Sequence, residues 1–198
     1  MTLDLLSALI GFAVASSITP GPNNLMLMVS GANFGFWRSL PHMLGIGIGF
    51  TVMIVLVGIG LVGLFDTFPW SYVALQVFSV AYLSWLAWKI ATAAPPKGGK
   101  AGGTPMTFLQ AALFQWVNPK AWSMALTAIT AYAPERTLIS ILLVAAVFGA
   151  INLPCVSTWT VLGQQIRRLL HRPRWLRGFN IGMAFLLLLS ALPMLLVN

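Results

Sequence analysis

Apolar residues run almost without interruption through six stretches of this chain, at residues 3–31, 41–64, 70–93, 107–132, 137–163 and 175–197. Each is long enough to cross a bilayer, because a hydrocarbon layer about 30 Å thick needs about 20 residues at a rise of about 1.5 Å per residue. A barrel strand would instead alternate apolar and polar positions over about ten residues. Backbone groups in lipid must find partners inside their own segment, as they do in a helix. The pattern predicts an all-α polytopic membrane protein with six transmembrane helices.

Two of the six runs carry polar and helix-breaking residues where apolar ones are expected. In the first, "SITPGPNNLMLMVSG" at 16–30, Pro20 and Pro22 remove amide donors and Gly21 loosens the backbone between them. Carbonyls about one turn earlier lose their helical partners, at several kcal/mol each in hydrocarbon unless protein, water or ligand supplies a donor. A break at depth therefore implies a polar cavity. Asn23 and Asn24 stand at the start of the second half-helix, whose exposed amides favour a carboxylate or another anion.

The fourth run repeats the device in "QWVNPKAWS", with Asn118, Pro119 and Lys120 near its centre. A lysine there costs roughly 2.5 to 3.5 kcal/mol on insertion, and no aspartate or glutamate lies inside any span to pair with it. Compensation has to come from a water-filled cavity, carbonyls freed by a broken helix, loss of the proton, or an anion arriving from outside. Snorkelling is the competing reading; the stem reaches only a few ångströms, with about a dozen residues to either end of the span.

Spans one and four each lead a group of three. With three preceding spans the second group starts from the opposite side of the membrane, so the economical architecture is a pair of inverted three-helix repeats with broken helices 1 and 4 meeting near the midplane. The first repeat is expected at 1–93 and the second at 107–198. The Gly-, Pro- and Lys-rich connection, "ATAAPPKGGKAGGTP", supplies a flexible cytoplasmic linker at 94–106.

Composition adds the solvent and the orientation. Hydrophobic residues are 59% of the chain and charged ones 7%, far from a soluble domain of this length. Of eleven lysines and arginines, Arg38, Lys89, Lys97, Lys100, Arg167, Arg168, Arg172, Arg174 and Arg177 fall in or beside the first, third and fifth connections. Arg136 sits in an even one, and the acids Asp4, Asp66 and Glu135 share its side. The positive-inside rule then puts both termini outside the cytoplasm. Basic residues confined to alternate loops account for the net charge of +8 without a nucleic-acid partner. The fifth connection, "RRLLHRPRWLR", can additionally meet anionic lipid head groups, with His171 a solvated loop residue. Asp4, and the lack of any basic residue before the first span, argue against a cleaved signal peptide.

The remaining features are structural. Trp37, Trp70, Trp88 and Trp175 lie near span ends, where an interfacial belt is expected. Gly45, Gly47, Gly49, Gly58, Gly60 and Gly63 permit close helix approach. His42 reads as a head-group residue, and Pro154 as a kink beside the cavity or a packing feature. Cys155 is the single cysteine, which leaves no disulfide within one chain. No metal-ligand cluster, cofactor motif or catalytic nucleophile is recognisable.

Together, "TPGPNNLMLMVSGANFGFWRSLPHMLGIGIG" and "FLQAALFQWVNPKAW" resemble the LysE/RhtB family of bacterial amino-acid exporters, over essentially the whole chain. Pro-Gly-Pro with a following Asn, the Gly35, Arg38, Gly45 and Gly49 run, and Asn-Pro-Lys in the fourth helix each match at the family's spacing, although Ser39 stands where a glycine is common. The resemblance implies six helices in the bacterial inner membrane and amino-acid efflux driven by the proton-motive force. Pro20, Gly21, Pro22 and Asn23 match the first motif, and Asn118, Pro119 and Lys120 the second.

An amino-acid zwitterion needs partners for its carboxylate and its ammonium. Lys120 and the amides near Asn23 and Asn24 suit the first; carbonyls or polar side chains such as Asn118, Gln115 and Asn152 suit the second. A cationic side chain would find no carboxylate in the membrane, so neutral substrates are expected over lysine or arginine. Lys120, as the titratable group at depth, is the candidate for coupling to protons. A homodimer stays open. Two rivals fit the same spans: an integral-membrane enzyme acting on lipid intermediates, which would lack an acid or histidine at depth to move protons, and a non-transporting subunit, for which the two breaks are unnecessary.

Overall fold

The computed structural model describes residues 1–93, 104–167, 170 and 173–192. Among them every regular element is a helix: α1 Leu3–Ile18, α2 Pro22–Phe34, α3 Phe36–Gly58, α4 Leu61–Thr67, α5 Trp70–Ala91, α6 Phe108–Phe114, α7 Pro119–Tyr132, α8 Leu138–Arg167 and α9 Pro173–Leu189. A 3₁₀ turn, Gln115–Val117, follows α6. The linker expected at 94–106 is described only from residue 104, and Lys97, Lys100, Arg168, His171 and Arg172 lie outside the described residues.

Three helices, α3, α5 and α8, are each long and apolar enough to cross a membrane, and α1 with α2, bent by 53° at the break, is a fourth if the pair is one span. The other two predicted runs hold shorter pieces. Asn118, in extended conformation, divides the run at 107–132 into α6 with its 3₁₀ turn and α7, and α9 comprises 17 residues. Both breaks fall where proline and asparagine interrupt the apolar pattern.

Local chemistry sets the ends. The Thr2 hydroxyl accepts from the Leu5 amide and Asp4 lies in the first turn of α1, both favourable at a helix N-terminus. Thr107 and Gln110 form a reciprocal capping box at α6, with bonds of 3.2 and 3.0 Å. Between α2 and α3 the chain reverses at Gly35, whose φ of 82° is open to glycine at no steric cost. The Phe36 amide there donates to Gln164 Oε1 at 2.8 Å, which fastens the reversal to α8.

Small residues decide how closely the helices meet. A Cβ at Gly31 would overlap the Thr160 carbonyl, and one at Gly163 the Met28 carbonyl, so α2 and α8 touch backbone to backbone. Gly45 and Gly49 bring α3 onto Phe108 and Ala112 of α6 in the same way, and Gly58 admits Ile141. Gly47 makes only ordinary contact with Leu153. Gly60 and Gly63 do not serve close approach: nothing lies within 4 Å of either, and Gly60 instead takes a φ of 109° at the end of α3.

The core is divided rather than continuous. Leu9, Phe50, Ile54, Ala125, Ile129 and Phe148 pack α1, α3, α7 and α8 together on one side of the breaks. Met26, Leu83, Phe114, Val117, Ala184 and Leu187 pack α2, α5, α6 and α9 on the other. Large apolar side chains such as Ile48, Val77, Phe78, Ile139 and Phe185 are exposed, as a lipid-facing surface requires. Trp37, Trp70, Trp88 and Trp175 are exposed near helix ends, consistent with an interfacial belt. Pro154 lies within an unbroken α8 and is exposed, while Asn152, two residues before it, is buried. Pro154 does not line the cavity.

Candidate functional site

The break between α1 and α2 leaves a run of carbonyls without helical donors, and side chains supply nearly the whole set. Thr19 Oγ1 donates to the Ser16 carbonyl at 3.0 Å, and Asn24 Nδ2 to those of Ser17 and Thr19 at 2.8 and 2.7 Å. The Trp159 indole donates to the Ile18 carbonyl at 3.0 Å from α8. Lys120 Nζ donates to the Thr19 carbonyl at 2.7 Å, to Thr19 Oγ1 at 2.8 Å and to the Pro20 carbonyl at 3.2 Å. An ammonium has three donors, and here all three are engaged. Of the compensations open to this lysine, carbonyls freed by the break are the one the structure shows. Helices of 16 and 13 residues flank the break, roughly 24 and 20 Å of rise.

Gly21 is needed for space. Its φ of 179° is extended backbone open to any residue. A Cβ at that position, however, would stand 2.5 Å from Lys120 Cδ and 3.3 Å from Nζ. The glycine is the floor on which the lysine stem lies.

The second break is organised around Asn118, which is buried and accepts the Lys120 amide on Oδ1 at 3.2 Å, an N-cap for α7 with Pro119 at its first turn. Lys120 is thus the second residue of one half-helix and reaches across to the end of another. Gln115, fully buried, joins the two breaks directly: Asn23 Nδ2 donates to Gln115 Oε1 at 2.8 Å and Gln115 Nε2 returns a bond to Asn23 Oδ1 at 3.2 Å. Gln115 also donates to the Ala111 carbonyl at 2.9 Å.

Between the breaks lies a cavity of about 20 Å³ lined by Ser17, Gly21, Asn24, Asn118, Lys120 and Asn152 among others. That is room for about one water molecule and far below the several hundred cubic ångströms of a small-molecule site. Asn152 Nδ2 donates to Ser17 Oγ at 3.3 Å, and its Oδ1 is buried beside the cavity with no partner. The arrangement is a narrow, partly open site with a cation on one wall and an unused acceptor beside another.

The residues expected from the sequence come together with two qualifications. Pro20 contributes its carbonyl, and Pro119 starts α7 without lining the cavity; Asn24 and Gln115 are committed to carbonyls and to Asn23 rather than free. Sequence reasoning missed Ser17, Thr19 and Trp159. The two hydroxyls directly precede the broken segment and were legible as local donors, whereas nothing along the chain connects an indole 141 residues away to Ile18. His42 is not a head-group residue: it is 2% exposed, with neither ring nitrogen hydrogen-bonded. It is buried on the first turns of α3, in the wall of a cavity shared with α2 and α5.

Apolar helices with a polar site and a lysine ammonium between two helix breaks have the character of a membrane transporter. The family of LysE type translocators matches residues 14–197, and the chain belongs to it. It is similar to the cysteine/O-acetylserine efflux proteins of Escherichia coli strain K12, Escherichia coli O139:H28 and Shigella sonnei, each 31% identical over 198 residues that cover 96% of this chain and 97% of the relative. These relatives are transporters by name, not enzymes. No solved structure matches the chain significantly.

Proposed function

We propose that this protein exports neutral amino acids or close analogues across the bacterial inner membrane, driven by the proton-motive force, with the two breaks as its substrate site. The observation that carries the reading is the Lys120 ammonium held in the first break by Thr19 and Pro20. A substrate carboxylate is a stronger acceptor than the carbonyls and takes over part of that set, aided by the uncapped amides at the start of α2. The free Asn152 Oδ1 suits the ammonium. Since Lys120 ties two half-helices together, binding at its nitrogen loosens one half against the other, as alternating access requires.

The remaining assignments rest on weaker support. Among the described residues α1 packs on α8 and α6 on α3, while α3 meets α8 and α5 meets α9, a pairing that survives exchange of the halves at 1–93 and 107–198 and favours inverted repeats. The basic residues of the alternate connections favour both termini on the periplasmic side. The preference for neutral substrates follows from the acids, Asp4, Asp66 and Glu135, all of which stand outside the site. Cysteine and O-acetylserine, named for the relatives, have uncharged side chains.

The test is export from cells loaded with a panel of neutral and basic amino acids, with and without Lys120→Ala, before and after collapse of the pH gradient. Saturable, Lys120-dependent efflux of a neutral compound that stops with the gradient is the expected result. Strong arginine export overturns the substrate preference, gradient-independent efflux the driving force, and full activity of Lys120→Ala the site.

A further inference from the structure

A second cavity, of about 500 Å³, opens between α2, α3 and α5 at the end of the bundle that carries Arg38 and Lys89. It falls within the size range of small-molecule sites. Ser30, Asn33, His42 and Lys89 contribute its polar lining, beside Met26 and Ile90. His42 is the informative member. A neutral imidazole carries one donor and one acceptor, and buried groups of this kind are nearly always paired. Both His42 nitrogens are buried and unpaired.

None of its polar neighbours is bonded to it, and each makes its own contacts elsewhere. Ser30 Oγ pairs with Ser39 Oγ at 2.7 Å, and Asn33 Nδ2 donates to the Val29 carbonyl at 2.9 Å and to Asn180 Oδ1 at 3.1 Å. Lys89 is exposed, its ammonium 4.6 Å from the centre of the Trp85 ring. The chamber therefore has a cation at its rim and a histidine in its wall. The unpaired donor and acceptor of that histidine are closed off as the ring now stands, and a turn of the ring would present them as a set complementary to a zwitterion.

Its position along α2 connects it to the breaks. Asn23, Met26, Ser30 and Asn33, spaced three, four and three residues apart, lie on one face of the helix. Ser30 and Asn33 line the chamber, Asn23 lines the small cavity, and Met26, buried against Phe114 and Val117, stands between them.

We propose that this chamber is a second binding site for the transported zwitterion on the intake side, in which Lys89 meets the carboxylate and His42, its ring turned toward the chamber, accepts from the ammonium before the molecule passes Met26 to Lys120. The proposal rests on the exporter reading above. It assigns substrate contact to two residues outside the breaks.

The test uses the full-length protein in vesicles of defined orientation with labelled O-acetylserine, or with whichever neutral amino acid the export panel singles out. His42→Leu and Lys89→Gln are each expected to raise KM about tenfold when substrate is presented at the basic face, the effect of losing one charge-assisted hydrogen bond. KM from the opposite face is expected to move less than about twofold, and His42→Gln, which keeps a donor and an acceptor, to recover most of the loss. Equal shifts at both faces mean a structural role and overturn the proposal. So does an unchanged basic-face KM in both His42→Leu and Lys89→Gln, when Lys120→Gln made alone abolishes flux. Should His42→Leu fail to accumulate in the membrane, Lys89→Gln decides the matter, since that side chain is exposed and its loss leaves packing intact. An unaltered protein that carries no flux defeats the exporter reading itself, and the chamber site with it.

Discussion

Replacing Lys120 by methionine separates the substrate role of the ammonium from its structural one. Methionine keeps much of the length and apolar stem and removes the charge. In the parent, Nζ serves the Thr19 carbonyl and hydroxyl and the Pro20 carbonyl. After substitution the Thr19 carbonyl keeps Asn24, and Thr19 Oγ1 keeps its own bond to Ser16. Only the Pro20 carbonyl loses its sole donor, at a cost of about 1 to 3 kcal/mol. Against that stands relief from holding a lysine at mid-depth, roughly 2.5 to 3.5 kcal/mol. The terms are opposite in sign and leave between about 0.5 kcal/mol of loss and about 2.5 kcal/mol of gain, so the thermal midpoint in detergent should fall by no more than about 2 °C and rise by no more than about 10 °C. Transport has no such offset. A carboxylate deprived of its cation forfeits about 1.5 to 3 kcal/mol, which is about 10- to 150-fold in KM. Proteoliposome flux and thermal unfolding on the same preparation check both halves. A variant with parental KM, or one that unfolds tens of degrees early, refutes the reasoning.

Other substitutions probe the surroundings. Gly21→Ala sets a methyl group 2.5 Å from Lys120 Cδ on a backbone that tolerates it, so flux should drop about tenfold while the unfolding midpoint barely changes, measured on paired samples. Asn152→Leu removes an unpaired buried acceptor; stability should hold or rise by about 1 kcal/mol while affinity for the zwitterion falls, read by binding and thermal shift together. Gly163→Val must overlap the Met28 backbone and should cost at least about 1 to 3 kcal/mol and much of the folded yield, whereas Gly63→Ala, with open space around it in α4, should be neutral or stabilising by about 0.5 to 1 kcal/mol. Chromatographic monodispersity and unfolding midpoints distinguish the two glycines.

The helical class and the positions of both breaks were legible along the chain because each depends on local chemistry. Continuous apolar runs dictate helices in lipid, and a proline withdraws its donor wherever it sits. Even the cost of Lys120, and the kinds of group able to meet it, followed from residue type. Which group met it did not. That choice rests on α7 beginning at Asn118 within reach of the end of α1, a relation between segments 100 residues apart. The pairing of Asn23 with Gln115 and of Trp159 with Ile18 has the same origin. His42 shows the limit most clearly. A histidine a few residues into a span beside an arginine has the pattern of a head-group contact, yet it is buried, which depends on how the segments around it are arranged. Periodicity and breaker residues act within a turn or two of themselves, so they decide what each segment is. Burial and hydrogen-bond choice are settled between segments, by which faces the glycines at positions 31, 45, 49 and 163 allow to touch.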